Sequence, residues 1–248
     1  MTTIIVLVLY AIALSLLLWR AGYRSLKSSD RTSSTPKPNR ILVIGATGGT
    51  GRQLLEQALE RGYTVTALVR DPSKLGAEHP QLKIIRGDVL DYETVAAAVA
   101  NQDAVLSALG HKRFFYPNQI LSDGTRNVIQ AMETHGVRRF VCETALGIGD
   151  TAGRLGLLYT FIVIPFVLPF YFFDKTRQER LIARSNAEWV IVRPGVLTNS
   201  RRRGSYRHGR RVGNFITGGR ISRADVADFM LDQLESDAYL GTAPGLIW

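Results

Sequence analysis

The sequence predicts an α/β fold, a doubly wound parallel sheet in a single domain, and three observations carry that reading. From residue 40 onward, short continuous apolar strands alternate with helical patterns. The first strand runs into a glycine-rich turn that opens a helix. The chain has 248 residues, 46% hydrophobic and 21% charged, which suits one large domain with a full core. That composition excludes wholesale disorder, collagen-like repeats and a multi-span transporter. A single cysteine, Cys142, excludes an intrachain disulfide and a cysteine-rich zinc site. His79, His111, His135 and His208 show no metal-ligand spacing, so no metal is expected.

Residues 1–23 read as a membrane anchor helix. Ile4 to Trp19 carry no charge, and a helix of that length spans about 24 Å against a hydrocarbon core of about 30 Å. Extending it from Thr2 to Tyr23, with Arg20 and Arg24 snorkelling and Trp19 and Tyr23 at the interface, closes the gap. A basic start and a small-residue cleavage site, the marks of a removable signal peptide, are absent. Positive charge follows the helix, so the domain is expected on the cytoplasmic side of a single-pass protein. Residues 24–39 are Ser/Thr/Pro-rich and basic, and read as a flexible linker.

Arg40 to Gly45 is the first strand, followed by GATGGTG and a helical pattern over 53–61. A tight turn, a close backbone approach and helix N-terminal amides suit a pyrophosphate. Gly45, Thr47, Gly48, Gly49, Thr50 and Gly51 are therefore the candidate set for a bound dinucleotide. The second strand, Thr64 to Val69, ends in Arg70, with Lys74 one turn on. Asp or Glu usually stands at that strand end in an NAD site, so this pattern favours NADP over NAD; the alternative is that Asp71 turns in and takes NAD. Strands follow at 82–85, 104–109, 140–143 and 189–192, with helices at 92–100, 120–134 and 174–184 between them. The alternation predicts the strand order 3-2-1-4-5-6, a Rossmann-like arrangement. Ser222 and Asp225 cap a final helix whose Val226, Phe229, Met230 and Leu234 face a core.

GATGGTG, Val69-Arg70-Asp71, Gly87-Asp88-Val89, Ala108-Leu109-Gly110 and Val192-Arg193-Pro194-Gly195 together resemble the atypical short-chain dehydrogenases/reductases of the NmrA-like type, and within them the flavin reductase/biliverdin-IXβ reductase group. The resemblance covers about residues 40–240. It implies that Asp88 and Val89 flank the adenine, that Leu109 and Gly110 border the cofactor ribose, and that Pro194, Gly195 and Val196 lie beside the nicotinamide. It also implies that Thr144 stands near the substrate. The N-terminal anchor and the apolar stretch at 155–173 depart from the family pattern, and some NmrA-like members bind NADP as sensors without catalysis.

Tyr171 and Lys175 match the Tyr-x-x-x-Lys pattern of short-chain reductases and share one helical face. An ammonium beside a phenol makes it a better proton donor, and Lys175 would also hold the nicotinamide ribose. Thr144, Tyr171 and Lys175 are thus the candidate catalytic residues. Gly156 to Phe173 form an uncharged run broken by Pro165 and Pro169. A second span there would separate strands of one sheet, so residues 155–173 read as an apolar lid, or else a buried crossover.

Two stretches carry the formal net charge of +10. Residues 20–40 hold six Lys/Arg against one Asp, and residues 189–224 hold nine arginines and no acid, leaving the remainder mildly acidic. The arginine-rich loop 200–211 has no nucleic-acid module around it; it suits a membrane surface or an anionic substrate gripped by Arg207 or Arg211. No nucleic-acid partner is expected. The whole predicts a membrane-anchored NADP-dependent oxidoreductase passing hydride to a flavin-, quinone- or carbonyl-like acceptor, its small-molecule substrate lipophilic or anionic. The alternative is a non-catalytic NAD(P)-binding redox sensor or assembly factor at the membrane.

Overall fold

The computed structural model describes residues 2–21, 37–76 and 78–248; side chains at the N-terminus are described for residues 5–14, 16 and 17. Most of the predicted linker, and Gly22 and Tyr23 of the anchor, lie outside the described residues. Thr2–Ala21 form helix α1. The alternating elements are β1 (Arg40–Ile44), α2 (Gly49–Glu60), β2 (Thr64–Val69), β3 (Leu82–Arg86), α3 (Tyr92–Val99), β4 (Ala104–Ser107), α4 (Ile120–His135), β5 (Arg139–Glu143), α5 (Pro169–Arg184) and β6 (Glu188–Pro194). After them come β7 (Val196–Thr198), β8 (Arg207–Gly209), β9 (Arg220–Ser222), α6 (Arg223–Asp232) and β10 (Gly245–Ile247).

β1 is buried at four of its five positions, and a strand covered on both faces belongs at the middle of a parallel sheet. It pairs with β2 on one side and β4 on the other. The full order is β3-β2-β1-β4-β5-β6-β10-β8, so the anticipated 3-2-1-4-5-6 core is extended by two strands. β10 runs parallel to β6 and β8 antiparallel to β10. Each extra strand is three residues long, too short to show an alternation in sequence. A separate parallel pair joins β7 to β9.

Helices cover both faces. Leu54, Leu55 and Ala58 of α2 meet Val226, Phe229 and Met230 of α6 on one side. Val95 and Ala98 of α3, Val128 and Met132 of α4 and Ile182 of α5 fill the other, against Phe140 and Trp189. Each Val, Leu, Ile, Met or Phe among them contributes about 1.5–3 kcal/mol by leaving water. Asp91 caps α3 by accepting from the Glu93 amide at 3.2 Å, and Ser222 caps α6 by accepting from the Asp225 amide at 2.9 Å. Gly136 ends α4 in the left-handed region, φ +70°, where a side chain would be strained.

The stretch expected to be a lid folds in an unusual way. Tyr159–Val167 form a π-helical segment with Pro165 inside it. Proline has no N–H to give and its ring collides with the carbonyl four residues back, so the α register cannot run through. The Leu168 amide reaches back five residues to Val163 O at 2.9 Å, and α5 restarts at Pro169, five residues before the predicted 174. α1 packs on this segment: Tyr10 stacks on Phe166 at 5.6 Å, and Leu14 joins Leu146, Ile148, Leu155, Ile164, Phe172, Val212 and Ile247 in a buried cluster. The outward side chains of both, Ile5 to Leu9, Ile12, Leu16 and Leu17 with Leu157, Leu158, Ile162, Phe166 and Val167, remain exposed. Among the described residues no helix is long and apolar enough to cross a membrane; the described side chains of α1 run only from Ile5 to Leu17.

Arg193, counted in sequence with the surface arginines, is completely buried in β6. Its Nε and Nη2 donate to the two carboxylate oxygens of Glu179 at 2.9 and 2.7 Å, and Nη1 pairs with Asp150. Burial opposes its charge, but Glu179 and Asp150 outweigh that and hold the guanidinium firmly protonated. The correction to the charge map is physical: an inward position on a central strand brings an arginine to acids of distant sequence. Removing Arg193 leaves the buried Glu179 carboxyl without its guanidinium partner. Arg193→Ala should therefore lower unfolding free energy by about 3–5 kcal/mol in urea titrations, and Arg193→Met with Glu179→Gln should recover part of the loss. A single-variant cost below about 1 kcal/mol would refute the pairing as a structural lock.

Candidate cofactor and active site

The glycine turn after β1 is shaped by what its backbone touches. Gly45 has φ +81°, and a Cβ there would stand 2.5 Å from Ala108 O, behind β4. A Cβ on Gly51 would overlap the Gly45 carbonyl oxygen, so the first turn of α2 lies directly on the loop. Gly48 precedes α2 with no side-chain cap, leaving the leading amides directed at the turn, as a bound diphosphate requires. Thr47 is half-buried, and its carbonyl accepts from Arg52 Nε at 3.3 Å. Thr50 turns inward and donates its hydroxyl to Glu143 Oε1 at 3.1 Å. Over Gly49 lies Arg223: a Cβ on Gly49 would be 2.5 Å from Arg223 Cδ. The Arg223 guanidinium, held by Asn199 Oδ1 at 2.7 Å, adds a cation beside the helix terminus. Nothing local in sequence identifies it, because it arrives from the start of α6.

At the end of β2, Arg70 is exposed. Asp71 is spent within its own turn. It accepts from the Ser73 hydroxyl at 2.6 Å and the Ser73 amide at 3.2 Å, and pairs with Lys74 at 3.4 Å. The Ser73 hydroxyl bond chiefly, then Lys74, keeps its carboxyl below the usual range. Asp88 after β3 accepts from the Leu90 amide at 3.0 Å, while Val89 packs so tightly on Gly124 that a Cβ there would sit 2.8 Å from Val89 Cγ1. Leu109 touches the same spot, at 3.3 Å. Pro194 O accepts from the Leu146 amide at 2.9 Å, the Gly195 amide donates to Leu246 O at 2.8 Å, and Val196 starts β7.

Around the C-terminal ends of β4, β5 and β6 the structure gathers the three candidate catalytic residues, in two sets. Tyr171 Oη lies 3.5 Å from the position a Cβ of Gly110 would take, so the phenol faces the end of β4. Lys175 Nζ lies 5.2 Å from the centre of the Tyr171 ring and donates to Glu143 O at 3.5 Å. Burial works against the Lys175 charge, but Tyr171, Glu143, Cys142 and Glu179 together raise its pKa, so it is an ammonium. Thr144 stands apart: its hydroxyl donates to Glu179 Oε1 at 2.7 Å and belongs to the Arg193 network.

Two further residues enter this site without a sequence signal of their own. Glu143 is buried beneath Lys175 and Thr50, and burial raises its pKa against the pull of Lys175. His111 follows Gly110 and meets Tyr171 edge-on at 5.0 Å, and Phe114, 6.3 Å from His111, meets the same phenol edge-on at 5.5 Å. The Arg113 amide donates to His111 Nδ1 at 3.1 Å, which assigns the proton of the neutral ring to Nε2. That nitrogen is buried with no hydrogen-bond partner. Burial first, then Lys175 and Arg113, lowers the His111 pKa against the pull of Asp174, so the ring is a neutral donor. Cys142, by contrast, is pushed up to about 12 by burial and is no nucleophile.

Residues 45–237 match the NAD(P)H-binding family. The chain belongs to that family. An uncharacterised chloroplast protein of Arabidopsis thaliana is 35% identical over 173 residues, 66% of this chain and 61% of that one. A photosystem II assembly factor of Synechocystis is 34% identical over 105 residues, 41% of this chain and 32% of its own. The chain thus spans less than two thirds of these relatives. An anaerobillin reductase from Escherichia coli O157:H7 superposes with a TM-score of 0.69 at 26% identity, covering 84% of this chain and 96% of that structure. The anticipated short-chain-reductase likeness is upheld, and the family match begins at Gly45, the first residue of the glycine turn. Gly51→Ala, which must push the Gly45 carbonyl aside, should weaken NADPH binding at least tenfold by calorimetry; unchanged affinity would place the dinucleotide elsewhere.

Proposed function

We propose that this NAD(P)H-binding protein is a membrane-anchored reductase, facing the cytoplasm, which uses NADP and reduces a flavin-, quinone- or carbonyl-like acceptor. The observation that carries the catalytic part is the placement of Tyr171 between Gly110, Lys175 and His111. NADPH, when bound, supplies the hydride. The α2 amides and Arg223 bind its diphosphate, and Arg70 with Lys74 bind the 2′-phosphate, a role favoured by the commitment of Asp71 to Ser73 and Lys74. Lys175 holds positive charge under the phenol, and Tyr171 gives its proton to the acceptor oxygen. His111 Nε2–H, beside the phenol, gives that oxygen a second hydrogen bond. Thr144 acts at one remove, by fixing Glu179.

Membrane attachment is supported by the uncharged run of α1 and by the apolar side chains that α1 and the π-helical segment leave exposed. A second reading, a non-catalytic NADP-binding sensor or assembly factor at the membrane, is favoured by the similarity to an assembly factor and by a Thr144 hydroxyl already committed to Glu179.

NADPH oxidation followed at 340 nm against flavins, quinones and aldehydes separates the two readings. Turnover with at least one acceptor, reduced about 10²–10⁴-fold in Tyr171→Phe, is expected of the reductase. Tight NADPH binding without oxidation across the panel would sink it in favour of the sensor. In cofactor choice, Arg70→Ala should weaken NADP about 10–100-fold and leave NAD nearly unchanged, since only the 2′-phosphate contact is lost. Equal loss for both would refute the assignment.

A further inference from the structure

Beside α1 and α5 lies a cavity of about 550 Å³, within the size range of about 300–1,000 Å³ that ligand sites occupy. Leu17, Pro117, Phe170 and Phe173 give it apolar walls, and Arg177 and Arg180 line it as well. Positions 170, 173, 177 and 180 share one face of α5, whereas Tyr171, Lys175 and Glu179 share another. The cavity is therefore distinct from the cofactor side of the helix.

Its charge is unbalanced. Asp174 also lines it, but that carboxylate accepts from the Leu121 and Ser122 amides at 2.8 and 3.1 Å and is consumed in capping α4. Neither Arg177 nor Arg180 has an acidic partner among the described residues. Two guanidiniums one helical turn apart suit the oxygens of a phosphate, which arginine grips with paired N–H donors. A free phosphate would gain nothing from the phenylalanines and leucine alongside. One wall is α1 itself, whose neighbouring Ile12 and Leu16 side chains are exposed and apolar.

We propose that this cavity binds an anionic membrane lipid, its headgroup phosphate on Arg177 and Arg180 and an acyl chain against Leu17, Phe170 and Phe173. The inference rests on the membrane attachment of α1 argued above, and goes beyond it by assigning a specific lipid site outside the cofactor cleft. It makes the anchor and the catalytic helix two walls of one lipid-filled seam.

The test uses the full chain in detergent, offered equal phosphatidylglycerol and phosphatidylcholine and weighed by native mass spectrometry. Phosphatidylglycerol should be retained at least tenfold over phosphatidylcholine, and Arg177→Ala/Arg180→Ala should erase the preference without altering the circular dichroism. Arg177→Lys/Arg180→Lys, which keeps charge, should retain most of it. Equal retention of both lipids, or a preference that survives the alanine pair, overturns the site; glycerol 3-phosphate binding as tightly as the lipid overturns the acyl-chain half. Flotation with phosphatidylcholine vesicles reads the anchor separately. A chain that floats but shows no lipid preference loses this site alone. A chain that fails to float yet keeps the preference loses the membrane attachment alone.

Discussion

The buried pair of Arg193 with Glu179 is the constraint from which the rest of the functional end is arranged. Two charges withdrawn from water are tolerated only if each satisfies the other, and here both guanidinium–carboxylate bonds are short and Asp150 and Thr144 complete the set. The pair ties β6 to α5 and, through Thr144 and Asp150, to the end of β5 and the turn after it. A helix pinned at Glu179 has its rotation fixed. Lys175 and Tyr171, one and two turns earlier, must then lie over the ends of β4 and β5. Phe170, Phe173, Arg177 and Arg180 must face away from them. One ion pair thus sets which face of α5 meets the strand ends and which lines the cavity beside α1.

What was legible in the sequence and what was not divides along the range of the interaction. β2 runs over Thr64–Val69, as its apolar pattern predicts, and the glycine turn lies between strand and helix as expected, because both are determined by neighbours in the chain. Ser222 and Asp225 are three residues apart and cap α6 as read. Arg193 was misread as surface charge because its acids lie 14 and 43 residues away. β8 and β10 were invisible because each is three residues long and forms only by pairing with strands distant in sequence, β8 with β10 and β10 with β6. Tyr171 and Lys175 share a helical face as their spacing predicts, whereas His111 and Glu143 come beside them through folding alone. The early start of α5 follows from Pro165, whose break in register a hydrophobic pattern does not report.

The same long-range logic reshapes the positive charge. The loop 200–211 is not a free basic arm. Its Arg203 and Gly204 amides donate to Asp225 at 2.8 and 2.9 Å, Arg202 reaches Asp228 at 3.3 Å, and the Arg203 guanidinium lies 3.6 Å over the Trp248 ring. Arg207 is paired into β8 and bonds Trp248 O. The loop with no acid of its own is therefore fastened by the acids of α6, and its excess charge is partly spent within the fold. Surface pairs of this kind contribute little stability each, but they hold the loop against the sheet.

α1 is part of the folded domain, because its Leu14 enters the same buried cluster as Phe172, one residue beyond Tyr171. The cluster reaches the π-helical segment through Ile164 and the sheet edge through Ile247. Without α1, Leu14 would no longer cover Ile164 and Phe172, and the Pro165 break would sit in a segment with one packed side fewer. α1 is thus an integral wall of the end of the domain that holds α5 and the π-helical segment. The position of α1 against the sheet is set by side-chain packing at Tyr10 and Leu14. The apolar π-helical segment supplies the surface on which α1 packs.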